Sequence, residues 1–284
     1  MKLAAAASAT QVRIDNANTY QDVDNIGLAM QDSGVPRANI FLLTKTGSGL
    51  AMGYNDTMAQ FDALLAAGQY TYVDAVLIHW PTSTGESVEP ACQVGQPAYD
   101  ARACRLATWR AYVDIFNSGR ALSIGVSNYN STHLQEIKDA GLPLPAINQI
   151  PFNLYRSSSW AQTVAWCLAH GVTVNAYSPY GVPDVKNGAE AYPAAGGMAP
   201  VLLQDPVLAT IAAAHGRSPA AVLSNWLWQL GVVLNPRTMD PAHMADNIGA
   251  FDFALTGAEV AQLSSRPQDW CRDDSKWYEC APVV

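Results

Sequence analysis

A chain of 284 residues is long enough to bury a sizeable core, as one large domain or as two ordinary ones. Hydrophobic residues make up 49% and charged residues only 14%, which excludes a disordered chain. With 16 Lys and Arg against 24 Asp and Glu the net charge is -8, no basic cluster stands out, and a nucleic-acid binder is excluded. From the start, Met1-Lys2-Leu3 and the alanines that follow give an apolar run shorter than the roughly 7–15 residues of a secretory core, and read as a helix fragment. Short β-branched runs then alternate with helix-period segments. Strands are expected over Val12–Asp15, Ile40–Lys45, Tyr72–His79, Ala121–Val126, Ala146–Gln149, Val172–Tyr177 and Val232–Pro236. Amphipathic stretches between them include Asp56–Ala67, Ala103–Asn117, Thr132–Ala140, Ser159–His170 and Pro219–Leu230. Ser218 and Pro219 start the last of these as N-cap and first helical residue. Gly68, Gly119, Gly141, Gly171 and Gly231 each stand where a helix ends and positive φ is wanted.

Alternating strands and helices with near-continuous apolar strands imply a parallel sheet covered by helices. An open doubly wound sheet and a closed (β/α)8 TIM barrel both satisfy that pattern. The dinucleotide fingerprint of the open sheet is missing: Gly47-Ser48-Gly49 follows a strand, but the sixth position is Met52. A barrel needs one strand more than the seven expected here, so the first is missing or replaced. Two stretches, 81–102 and 181–200, are long loops after strands, the kind that build a binding site. The chain is expected to be a single domain over 1–284, closing with a C-terminal loop at 266–284 that carries Trp270, Trp277 and Tyr278. The 5 cysteines are an odd number without metal spacing, and read as thiols in a reducing, cytoplasmic compartment. No stretch approaches the roughly 20 apolar residues of a membrane span.

Chemistry-bearing side chains stand at the strand ends. The first offers Asp15 and, shortly after, Tyr20; the second ends at Lys45; the third ends in His79-Trp80. Singly, each has a structural explanation: a cap, core filler, a solvated ammonium, a hydrogen-bonded imidazole. In a barrel all four polar groups converge on one mouth and form an acid–base set. Tyr, with a reference pKa near 10, gives up a proton more readily beside an ammonium. Asp15 would hold Lys45 charged and oriented, and a neutral His79 would donate to a carbonyl oxygen. No metal is needed, but an electron source is, so a cofactor must supply hydride.

The stretches Ile14-Asp15-Asn16-Ala17-Asn18-Thr19-Tyr20, Ile40-Phe41-Leu42-Leu43-Thr44-Lys45, Leu77-Ile78-His79-Trp80-Pro81, Gly125-Val126-Ser127-Asn128, Asn148-Gln149 and Ala176-Tyr177-Ser178-Pro179 resemble the aldo-keto reductases in order and spacing, over about residues 10 to 265. The resemblance implies a (β/α)8 barrel that reduces an aldehyde or ketone with NADPH, with Tyr20 as proton donor and Lys45, His79 and Asp15 as its partners. By the same resemblance Ser127, Asn128 and Gln149 hold the nicotinamide carboxamide, Tyr177 stacks on its ring and Ser178 begins the pyrophosphate loop. Arg237, Thr238, His243 and Asn247 would meet the 2′-phosphate and adenine, and Trp80 the substrate. The family's usual Lys and Arg are Arg237 and His243 here, so NADPH is favoured and NADH is possible. Tyr180 replaces a usual Leu. The family's opening hairpin and first strand have no counterpart, which leaves a second reading: a catalytically impaired relative that only binds nucleotide or a protein partner. A monomer acting on a small carbonyl compound, with no nucleic acid and no membrane, is the expected setting.

Other enzyme classes fail on motifs. No Tyr is followed four residues later by Lys, Gly-x-Ser-x-Gly is absent, and His79, His133, His170, His215 and His243 are scattered.

Overall fold

The computed structural model of the protein describes residues 12–47, 51–82, 87–155, 158–181, 183–184, 189–190 and 202–266. Two units divide the chain, Met1–Asn148 and Gln149–Val284. In the first, strands β1 (Val12–Asp15), β2 (Ile40–Thr46), β3 (Ala75–Ile78) and β4 (Ile124–Ser127) pair in chain order, each neighbour parallel. Helices α1 (Val23–Asp32), α2 (Tyr54–Gly68), α3 (Ala101–Asn117) and α4 (Ser131–Asp139) alternate with them and pack each on the next. All four residues of β3 are buried, as a strand covered on both faces requires. Leu43, Ala75, Leu77 and Ile147 form a core cluster with Phe41 against it.

Glycine does two different jobs here. Gly119, Gly141, Gly171 and Gly231 adopt the positive φ expected of them. Gly68 does not: it is the last residue of α2, and Gln69 takes the left-handed conformation (φ 54) in its place. The reason is packing. A Cβ on Gly68 would lie 2.1 Å from the Tyr70 ring, and one on Gly27 would lie 2.2 Å from the Gly68 carbonyl oxygen, so α1 and α2 approach backbone to backbone.

The long loop after β3 is pinned rather than loose over its described part, 87–100. The Val88 amide donates to Asp56 (2.9 Å), and Glu89 accepts from the Asn55 amide (2.9 Å) at the start of α2. Cys92, in a 3-10 turn over Pro90–Cys92, is joined to Cys104 of α3 by a disulfide with Cα atoms 5.0 Å apart. The expectation of unbridged thiols is therefore wrong for this pair, because partners are chosen by space and not by spacing along the chain. Cys167 is buried, and Cys271 and Cys280 lie outside the described residues.

The second unit takes in most of β5 (Ile147–Pro151), then α5 (Ser158–Ala169), β6 (Thr173–Tyr177), the two-residue antiparallel pair β7 (Pro183–Asp184) and β8 (Ala189–Glu190), α6 (Pro206–His215), α7 (Pro219–Gln229), β9 (Val233–Asn235), α8 (Pro241–Gly249) and α9 (Gly257–Ser264). β6 pairs parallel with β9, Tyr177 opposite Asn235. Three helices share one start signal. Asp205, Ser218 and Asp240 accept from amides of the first turn of α6, α7 and α8, each followed by Pro at the first helical position. Asp205, fully buried, also receives the Tyr155 hydroxyl (2.7 Å) and pairs with Arg266. The loop expected over 181–200 contains the β7–β8 pair; its remainder past Gly181, the opening stretch 1–11 and the tail 267–284 with Trp270, Trp277 and Tyr278 lie outside the described residues.

Candidate active site

Within the first unit the ends of four parallel strands bring seven of the expected residues together. Asp15 is the last residue of β1, and the Asn16 amide extends the ladder to the Leu43 carbonyl (2.8 Å). The chain then makes a 3-10 turn over Asn18–Tyr20 and reverses through Gln21 at φ 58, which leaves the Tyr20 side chain 53% exposed. Lys45, on β2, is 1% exposed. Its ammonium pairs with the Asp15 carboxylate and donates to the Asn16 carbonyl (3.0 Å). The same ammonium lies 5.5 Å from the centre of the Tyr20 ring.

His79 follows β3, its amide bonded to the Thr46 carbonyl (2.8 Å). Its ring meets Tyr20 edge to face, centroids 5.9 Å apart and planes at 82°. Its Nδ1 is buried without a hydrogen-bond partner among the described residues. Burial first, and then the Lys45 charge, push the imidazole down to about 3, so it is neutral at pH 7. Burial likewise lowers the Lys45 ammonium from its ordinary value, with Asp15 opposing. Trp80 is half-buried, its ring parallel to that of His79 at 6.0 Å. The end of β4 closes the group. Ser127 and Asn128 are both buried, and the Asn128 carboxamide donates to the His79 carbonyl (2.9 Å) and to Ser127 Oγ (3.1 Å) from a left-handed backbone at φ 62.

The second unit gathers the other expected residues. Gln149 is buried on β5, Tyr177 ends β6, and Ser178 follows it at φ 49. Past β9, Arg237 is exposed and Thr238 Oγ1 lies 3.4 Å from His243 Nδ1 on α8. Asn247, also on α8, accepts from the Tyr180 hydroxyl at 2.6 Å. Of the four non-glycine residues with positive φ among the described residues, Asn128 and Ser178 are expected cofactor contacts and Gln21 follows Tyr20. Left-handed backbone outside glycine costs free energy and collects where function holds it.

A sequence profile described as the Aldo/keto reductase family matches residues 1–266. The chain belongs to the aldo/keto reductase family. Morphine 6-dehydrogenase of Pseudomonas putida is 35% identical over 261 residues, covering 92% of this chain and 80% of that protein. Aldo-keto reductase family 1 member A1 of Mus musculus is 31% identical over 272 residues, covering 93% and 80%. Among solved structures, a Bombyx mori aldo-keto reductase in complex with NADP superposes with a TM-score of 0.79 at 28% identity, over 99% of this chain and 86% of that one. This aldo/keto reductase accordingly has the (β/α)8-type barrel fold and is an oxidoreductase. No described helix is long and apolar enough to cross a membrane.

Two features of this reductase escaped sequence reasoning. Tyr180 stood out only as a replacement for Leu, and its hydroxyl engages Ser224 and Asn247. The Asn16 carbonyl is a second acceptor for Lys45, and a backbone acceptor leaves no sequence signal.

Proposed function

We propose that the protein reduces the carbonyl group of an aldehyde or ketone to an alcohol, with Tyr20 as proton donor and NADPH as reductant. The observation that carries this reading is the Tyr20 ring, half in solvent, packed against a buried neutral imidazole and a buried ammonium held by a carboxylate. NADP and NADPH are bound in two solved relatives, the second matching at 28% identity and a TM-score of 0.78. The residues here fit such a nucleotide: Ser127 ends β4 and Asn128 follows it, both buried polar side chains at the C-terminal end of a parallel strand, where ligands of this architecture lie, and Gln149 is a buried polar side chain within β5. They would hold the nicotinamide, Tyr177 its ring, Ser178 the pyrophosphate, and Arg237, Thr238, His243 and Asn247 the adenosine end with its 2′-phosphate. When bound, the nucleotide supplies hydride to the carbonyl carbon.

The chain's own residues supply the rest. Lys45 beside Tyr20 favours tyrosinate, so the phenol releases its proton to the developing alkoxide. Asp15 and the Asn16 carbonyl keep the ammonium fixed. A buried nitrogen without a partner is better left as a lone pair than as a stranded N–H, which puts the His79 proton on Nε2, free to donate to the substrate oxygen. Trp80 would contact the substrate. The Arg237 fork favours the 2′-phosphate, while His243 offers no such fork, so slower use of NADH is part of the proposal. A single catalytic domain and a monomeric state complete it. The Cys92–Cys104 bridge speaks against the cytoplasmic setting that composition suggested.

A panel of aldehydes and ketones, followed by loss of NADPH absorbance, tests the activity. Tyr20→Phe should lower kcat at least about 1000-fold, in the range of a lost general acid and its electrostatic partner, while NADPH still quenches intrinsic fluorescence. Turnover retained in that variant rejects Tyr20 as donor. Binding of NADPH by the unaltered protein without turnover of any carbonyl would favour a nucleotide-binding relative that has lost catalysis.

A further inference from the structure

We infer that Tyr180 is a positioning residue for the adenosine end of the nucleotide, holding the Asn247 carboxamide so that it faces a ligand with N–H donors only. The inference rests on the proposed role of Asn247. Tyr180 sits just before Gly181, whose amide closes a turn onto the Ser178 carbonyl (3.0 Å). From there its hydroxyl reaches Asn247 Oδ1 on α8 at 2.6 Å and Ser224 Oγ on α7 at 2.6 Å.

A phenol has one proton and can accept as well as donate. A separation of 2.6 Å is ordinary for O–H···O and short for N–H···O, whose common value is about 2.9–3.0 Å. The amide oxygen, not its nitrogen, therefore meets Tyr180. With the phenol proton directed at Asn247, Ser224, 1% exposed, must donate to the phenol. The chain of donors runs Ser224 to Tyr180 to Asn247, and the amide nitrogen is turned away from it. Adenine ring nitrogens are acceptors, so a carboxamide locked in this sense suits them and does not have to be reoriented on binding. The same strut ties the loop after Ser178 to α8, the segments proposed to meet the pyrophosphate and the adenosine. A Leu at this position could make neither bond.

Two probes separate the possible failures: NADPH, and adenosine 2′,5′-bisphosphate, which has no nicotinamide. Their dissociation constants are measured by calorimetry on the full chain. Tyr180→Phe should weaken both about fivefold, the equivalent of one hydrogen bond, raising KM for NADPH with kcat within about twofold. Asn247→Ala should weaken both at least as much, and the double variant no more than Asn247→Ala alone, since the two side chains act as one unit. If Asn247→Ala leaves both constants unchanged, the adenosine role of Asn247 is wrong and this inference goes with it. If Asn247→Ala weakens binding but Tyr180→Phe does not, or if the two losses add, Tyr180 alone loses its role. Should Tyr180→Phe not fold, Ser224→Ala leaves the phenol in place and should weaken both probes about twofold; unchanged affinity overturns the relay.

Discussion

At the scale of single residues, pH acts on this protein through buried imidazoles. His79 and His133 are both pushed down to about 3, in each case by burial first and then by a neighbouring cation, Lys45 or Arg105. In the unfolded chain histidine titrates near 6.5. Between those values the unfolded state binds more protons, so stability is full above about pH 6.5 and is lost as pH falls toward 3, by up to about 1.4 kcal/mol per pH unit for each histidine. His133 allows a clean check, because it plays no part in the proposed chemistry. It is the third helical residue of α4, where Nδ1 accepts from the Asn130 amide, and glutamine can take over that acceptor role. Melts of His133→Gln should lose stability less steeply between pH 6.5 and 5 than the unaltered protein; coincident acid limbs would mean the imidazole is already accommodated as a cation. Nucleotide choice is also a residue-scale matter. Arg237→Ala and Thr238→Ala should each raise KM for NADPH about tenfold, in line with a lost charge-assisted contact, and move that for NADH much less. Equal effects on both cofactors would remove the phosphate assignment.

At the scale of elements, helix approach and loop closure decide stability. α1 and α2 meet at Gly27 and Gly68, where no side chain fits. Gly27→Ala forces the helices apart and should cost about 1–3 kcal/mol, read as a lower midpoint in urea. The segment after β3 is closed by Cys92–Cys104, with 12 residues of separation. A bridge of this size contributes about 2–4 kcal/mol by restricting the unfolded chain. Paired Cys92→Ser and Cys104→Ser changes, or reductant alone, should lower the melting temperature accordingly; an unchanged melt would show that the Asp56 and Glu89 hydrogen bonds suffice to order the loop.

For the whole molecule, ligand linkage is the informative measurement. A nucleotide that binds only the native state at 100 times its dissociation constant adds about 2.7 kcal/mol. NADPH should thus raise the melting temperature by roughly 5 °C or more in a chain of this size. One transition that moves as a whole would support the single-domain proposal, whereas two, of which NADPH moves only one, would mean that Met1–Asn148 and Gln149–Val284 unfold separately.

What the sequence determined by itself is whatever rests on local periodicity and on the ends of elements. β1 spans Val12–Asp15 as expected, and Ser218-Pro219 starts α7, because strand alternation and capping use neighbours in the chain. Asp15, Lys45 and His79 were legible as a group since parallel strands deliver their C-terminal ends to one side. The helix α8 was not read, although Asp240-Pro241 starts it as Ser218-Pro219 starts α7: at 9 residues, none of them buried, it is too short for a sustained helical period. Only the tertiary structure decided that Cys92 pairs with Cys104, that Gln69 and not Gly68 turns left-handed, and that Tyr180 reaches Asn247 across 67 residues. Each of these depends on which distant atoms arrive at van der Waals or hydrogen-bond distance, and packing sets that where composition and spacing cannot.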